Sequence, residues 1–154
     1  LYENFLLYNL KNLNELPMQA YWEYEKGKSI ETDDVLKAIE IRNKYMYKIQ
    51  KLFNHYDFLA LPSAQLFPFE KNLNNPEFIN NNKIDTYHRY MEVYTLSSLL
   101  GLPTISIPVG FNNKGLPMGM QIIANVKEDN KVINFAKSYE EIFNFSKFKP
   151  KLMQ

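Results

Sequence analysis

Covalent catalysis needs a nucleophile, a base to activate it, and donors for the charge that develops. The sequence holds no cysteine, which excludes thiolate catalysis, disulfides and thiolate-bound zinc. Ser97-Ser98 is the only adjacent serine pair. It falls inside a helical pattern with no glycine before Gly101, so it reads as a helix-end pair whose hydroxyls bond back to their own helix. Lys28-Ser29, Lys137-Ser138 and Ser146-Lys147 place a lysine beside a serine, but in polar or terminal surroundings where lysine keeps its proton and is a poor base. The two histidines, His55 and His88, lie far apart, and without a third ligand in register no metal site is expected. His55 reads as a helix-end residue near the negative pole of the dipole. No two glycines are close enough to cradle a phosphate, and no cofactor is expected.

Two other groups of residues could shape a pocket without breaking a bond. Ser63, Gln65 and Phe67 follow a short apolar run, Phe58 to Leu61, that ends in Pro62. In open α/β sheets ligands collect outside the carboxyl ends of strands, so these three are candidates for a substrate-site wall; the alternative is a plain connecting loop. Tyr87, His88, Met91, Glu92 and Thr95 share one helical pattern at spacings that bring them to one face. They could line a pocket, or Glu92 and Arg89 could simply form polar pairs.

The elements that must hold these residues are organised around Tyr94 to Ala124. Four of the five glycines fall there, each where an apolar run must stop, turn or admit a close neighbour. Gly101-Leu102-Pro103 closes a helix that begins near Tyr87. Thr104 to Val109 and Met118 to Ala124 are apolar, β-branched runs suited to strands covered on both faces, with Asn112, Asn113 and Gly115 as the turn between them. Upstream, Tyr2 to Leu13 has helical spacing with Pro17 as a stop. Met18 to Lys28 carries Tyr21, Trp22 and Tyr24, which either pack between helices or line an aromatic pocket. Ser29 or Thr32 caps a helix running to about Asn54, whose stripe of Val35, Ile39, Arg42, Met46, Ile49 and Phe53 predicts one face buried along its length. Glu70 to Lys83 lacks periodicity and reads as a surface loop, a candidate flap over the site. The final helix runs from Asn130 to about Phe145.

Several of these stretches resemble the C-terminal third of the amidase signature hydrolases. The resemblance is carried by Gly101-Leu102-Pro103, the strand ending in Pro108-Val109-Gly110, and Gly115-Leu116-Pro117-Met118-Gly119-Met120-Gln121-Ile122-Ile123. Tyr56 to Ser63, Thr86 to Val93, and Glu128-Asp129 with the helix behind them stand on either side in the same order, from about Val35 to about Phe145. Many members carry an asparagine three residues before the first glycine, where this chain has Ser98. The resemblance implies an α/β fold, part of the amidase-signature mixed sheet flanked by helices. It also implies hydrolysis of a linear amide by a serine nucleophile, a second serine in a cis peptide bond, and a neutral lysine base. A glycine- and serine-rich stretch supplies the oxyanion donors in that scheme, and these 154 residues contain nothing like it.

The expectation is therefore that residues 1–154 are a C-terminal fragment of one amidase-signature domain, with the catalytic N-terminal part absent and no catalytic residue in this chain. Leu1 in place of methionine points the same way. Ser63, Gln65, Phe67, Tyr87, His88, Met91 and Glu92 would then line the amide pocket. The expected partners are a small-molecule amide and the missing N-terminal part of the same protein, and an uncovered edge or face leaves self-association open. A competing reading is a non-catalytic module that completes a partner's sheet by edge addition. The resemblance also takes in the amidotransferase subunit that amidates charged tRNA. A formal net charge of +1 gives no footprint for nucleic acid or a membrane surface. No apolar run reaches the ~20 residues that span a bilayer, and a cytoplasmic location is expected.

Overall fold

Proline cannot extend a helix from within but suits its first turn, and Pro17 opens helix α1 (Met18–Gly27), its carbonyl accepting Tyr21 N at 3.0 Å. The computed structural model describes residues 16–149, so the helix expected over Tyr2 to Leu13 lies outside the described residues. None of the residues of α1 is buried. Its aromatics carry lysines instead: Lys28 Nζ lies 4.6 Å from the Tyr24 ring centre and Lys26 Nζ 5.8 Å from that of Trp22.

Helix α2 (Thr32–Phe53) starts at a different cap from the one expected. Neither Ser29 nor Thr32 holds that position. Glu31 precedes the first turn, and Asp34 Oδ2 reaches back to accept Glu31 N at 3.1 Å, half of a capping box. The chain divides into two compact units between Lys44 and Tyr45. The apolar stripe of α2 divides with it. Val35 and Ile39 are half exposed, at 49% and 50%, whereas Ile49 is buried and Met46 and Phe53 pack beside it. Burial along the whole length is thus corrected to burial over the last turns alone, because the buried clusters among the described residues lie in the second unit.

That core is built on a three-stranded antiparallel sheet of β1 (Leu59–Pro62), β4 (Thr104–Phe111) and β5 (Pro117–Ile123), in the order β1-β5-β4. Leu59 pairs with Ile123, and Ile123 with Thr104 on its other side. Alternation then assigns the faces. Leu59, Leu61 and Ile123 point to one side, where Ile49, Leu96, Leu100 and Leu102 complete a cluster. Ile105, Ile107, Met120 and Ile122 point to the other, against Val132, Phe135, Ala136 and Tyr139 of helix α4 (Asp129–Phe143). Continuous apolar runs predict strands covered on both faces, and β5 meets this, with Ile122 2% and Ile123 0% exposed, whereas β4 is covered on one face only, Thr104, Ser106 and Pro108 being exposed on the other.

Helix α3 (Tyr87–Leu100) ends as its glycine requires. Gly101 sits at φ 65°, and Gly101 N and Leu102 N close on the carbonyls of Ser98 and Ser97. Ser97 and Ser98 are therefore the last-turn pair that the sequence indicated. Between β1 and α3 the expected loop carries a small hairpin, β2 (Phe78–Ile79) and β3 (Asn82–Lys83). Its two central residues, Asn80 and Asn81, both have positive φ, at 48° and 63°, the left-handed pair that a tight two-residue hairpin needs.

Candidate functional site

The carboxyl end of β1 meets β5 at a glycine. Ser63 N donates to Gly119 O at 2.9 Å, which extends the ladder one residue past Pro62. Ser63 then lies on the same face as Gly119 and Ser106, and the Ser63 and Ser106 hydroxyl oxygens are 2.7 Å apart, bridging β1 and β4 across the middle strand. Only glycine leaves room for this bridge. A Cβ at position 119 would stand 2.8 Å from Ser63 Oγ and 3.2 Å from both Ser63 Cβ and Ser106 Oγ.

One turn deeper, Gln121 is the polar centre of the sheet, 3% exposed. Its Nε2 donates to Pro62 O at 2.9 Å and to Val93 O at 2.8 Å, and its Oε1 faces Ser97 Oγ at 3.4 Å. A single buried amide thus ties the exit of β1 to helix α3. Beyond Ser63 the chain is held to the same helix a second time, where Gln65 Nε2 donates to the backbone carbonyl of Arg89.

Two clefts flank this 63–69 segment. The first, of about 420 Å³, is polar and lies between the β2–β3 hairpin and α3, with Gln65, Lys83, Asp85, Arg89 and Glu92 on its walls. Arg89 is clamped within it: Nε contacts Asp85 Oδ1 at 3.1 Å, and Nη1 contacts Glu92 Oε1 at 2.5 Å. The hydrogen bond from Arg89 holds the Asp85 carboxyl below its ordinary range, and Glu92 together with Asp85 raises the guanidinium further. The second cleft, of about 210 Å³, has no charged wall; Leu66, Phe67, Tyr90, Met118 and Gly119 contribute to it.

Among the sequence candidates, Gln65 and Glu92 come together in the polar cleft and Phe67 stands in the apolar one. Ser63, Tyr87, His88 and Met91 line neither. Ser63 belongs to the hydroxyl bridge beneath them, Tyr87 and His88 hold their rings 4.0 Å apart, and Met91 is half-buried in α3. Sequence reasoning missed Ser106, Gly119 and Lys83 as neighbours of this site. Strand alternation would have placed Ser106 and Gly119 beside Ser63 had the register been known, whereas Lys83 arrives only with the hairpin.

The two lysines whose proton affinity is displaced move upward, away from the role of a base. Lys28 is raised by its hydrogen bond to Glu25, and Lys131 by hydrogen bonds to Asp57 and Glu128. No cis peptide bond and no group of three metal-ligating side chains occurs among the described residues. No helix among them is long and apolar enough to cross a membrane.

A family model described as Amidase matches residues 15–133, and the chain belongs to this family of amidase signature proteins. It is 34% identical over 119 residues to the glutamyl-tRNA(Gln) amidotransferase A subunit of Thermodesulfovibrio yellowstonii, a match covering 75% of this chain and 23% of that one. The corresponding protein of Trichodesmium erythraeum is 33% identical over 118 residues, 76% of this chain and 23% of its own. A bacterial aryl acylamidase of the amidase signature family superposes with a TM-score of 0.79 at 23% identity, covering 94% of this chain and 31% of the other. The chain therefore has the mixed α/β fold of these enzymes, and it spans about a quarter of the length of the relatives that it matches.

Proposed function

We propose that this chain is the C-terminal part of an amidase that hydrolyses a linear carbon–nitrogen bond. It supplies sheet core and pocket wall, while the serine nucleophile, the bridging serine and the lysine base are carried by polypeptide preceding Leu1. The observation that carries the proposal is membership of the Amidase family over residues 15–133. The position of the clefts supports it, since both open beside the carboxyl end of β1, where an α/β sheet receives ligands. Within that proposal Ser63, Gln65, Phe67, Tyr87, His88, Met91 and Glu92 form or back the substrate wall. Gln65 and Glu92 offer hydrogen-bonding groups to a polar arm, and the substrate is a small-molecule amide.

Proton affinity supports this division of labour. A base that draws a proton through a hydroxyl must be a neutral lysine, which burial or a neighbouring cation would produce by lowering its affinity. Lys28 and Lys131 sit beside carboxylates instead. The placement of Ser97 supports this reading, since its hydroxyl donates to Tyr94 O at 3.2 Å inside the helix.

A second reading, part of a tRNA-dependent amidotransferase, is favoured by the 34% identity to the A subunit of such an enzyme. One assay separates the two. Ammonia release by the intact protein is measured with acetamide, benzamide and glutamine, the last with and without glutamyl-tRNA. Turnover of simple amides that is indifferent to tRNA is the expected result; turnover confined to glutamine and stimulated by charged tRNA would favour the amidotransferase. The isolated 154-residue chain is expected to release no ammonia from any of them. Activity that survives purification and disappears in Ser97→Ala or Ser98→Ala would overturn the placement of catalysis upstream.

A further inference from the structure

The segment that walls both clefts is fixed at its root. Where it leaves β1, Pro62 O accepts Gln121 Nε2 at 2.9 Å, and the same nitrogen donates to Val93 O of α3 at 2.8 Å. One residue on, Ser63 N donates to Gly119 O at 2.9 Å, and its hydroxyl meets that of Ser106 at 2.7 Å. Past Gln65 the hold slackens, with Phe67 40% and Phe69 39% exposed. Ala64, Leu66 and Phe67 line the apolar cleft and Gln65 lines the polar one. A displacement at the root therefore moves both walls together.

Packing alone does not call for these anchors. Gln121 is 3% exposed, and a buried amide costs free energy unless its hydrogen bonds are made, a condition that an apolar side chain of similar size would not impose. What the amide adds is direction, because bonds to carbonyls on two elements fix a distance and an angle between them. The hydroxyl bridge does the same across the sheet. It joins β1 to β4 over the one position of β5 that lacks a side chain, where a Cβ would stand 2.8 Å from Ser63 Oγ.

We propose that Gln121 and the Ser63–Ser106 pair are positioning residues: they hold residues 64–67 at the spacing from α3 and β5 that the clefts require, and so set the affinity for substrate. None of the three lines either cleft, so each acts through the segment that it anchors. What the walls bind rests on the amidase reading, whereas the anchoring does not.

The test uses the intact protein, with benzamide and acetamide as probes and two observables. Ser106 is exposed, so Ser106→Ala removes the bridge without opening the core, and Ser106→Thr keeps a hydroxyl there. Gln121→Leu removes the amide and keeps its bulk. Methyl NMR is expected to show lower order at Ala64 and Leu66 in Ser106→Ala and Gln121→Leu, recovery in Ser106→Thr, and no change at Ile122 and Ile123. KM for the amide turned over should rise roughly threefold to tenfold in the first two variants, as for the loss of about one hydrogen bond, with kcat held within about twofold. Ser106→Thr should restore KM. If Gln121→Leu does not fold, the two Ser106 variants decide the case.

Unchanged methyl order at Ala64 and Leu66, or a loss shared equally by Ile122 and Ile123, would overturn the anchoring. Lower order with KM unmoved would overturn the link to substrate, as would a fall in kcat at constant KM. An intact protein that turns over neither probe would sink the amidase reading instead, with the methyl signals still deciding whether these residues hold the segment.

Discussion

At the scale of single residues, the burial of a polar side chain says more than the exposure of an apolar one, and Gln121 and Arg89 illustrate opposite regimes. Gln121 has almost no contact with water and satisfies two backbone carbonyls from different elements. Gln121→Ala strands both carbonyls, so a loss of about 1–3 kcal/mol of unfolding free energy is expected by urea denaturation; an unchanged midpoint would mean that water replaces the amide at no cost. Arg89 lies in water, where screening keeps the stability contributed by its ion pairs small. Its hydrogen bond depresses Asp85, so the associated stability is present above the ordinary value of 3.8 and fades as pH falls through the lower folded value. Arg89→Ala should return the Asp85 carboxyl titration, followed by NMR, toward that ordinary value, and an unmoved titration would show that the clamp does not hold in solution. The Arg89–Glu92 pair was legible from its helical spacing, whereas the role of Gln121 was not. Gln121 is one polar letter in an apolar strand, and its partners Pro62 and Val93 are 59 and 28 residues away.

At the scale of elements, legibility followed the locality of the cause. The end of α3 was readable because a helix stops where a left-handed residue is cheap, and glycine at position 101 is such a residue. Gly101→Ala keeps open space around the new methyl group, so the change isolates the backbone cost. About 1 kcal/mol of destabilisation is expected, with α3 fraying first by amide exchange; full protection at Ser97 and Ser98 would contradict it. The β2–β3 hairpin has an equally local cause but a quieter signal, since Asn80 and Asn81 replace the asparagine–glycine pair usually sought at such a turn. The stripe on α2 misled for the reverse reason. Periodicity reports that a face is apolar, whereas burial depends on a neighbour, and Val35 and Ile39 remain half exposed where Met46 and Ile49 are covered.

At the scale of the whole molecule, β5 is the strand covered on both faces, and β4 beside it is an open margin. Ala124 N donates to Pro103 O, so Ile105 and Ile107 are the β4 residues that exchange hydrogen bonds with β5. The N–H groups of Thr104 and Ser106 therefore point away from the sheet, together with the carbonyls of Thr104, Ser106 and Pro108. No other strand pairs with them among the described residues. Free edges are usually guarded by charge, yet β4 contains no charged residue, and Val109 and Phe111 beside it are 41% and 51% exposed. Pro108 and the bulge between Pro108 and Gly110 interrupt only the far half of the strand. An edge so lightly protected recruits another strand when one is available, and in a solution of the isolated chain the available strand is a second copy. Sedimentation velocity across a concentration series is accordingly expected to show reversible self-association. Thr104→Lys, which puts a charge on an exposed edge position without touching the β4–β5 ladder, should shift the chain toward monomer. A wild-type chain that stays monomeric at every concentration would show that the bulge and Pro108 suffice to close the edge. Association unaltered in Thr104→Lys would move the interface to the apolar surface around Val109 and Phe111.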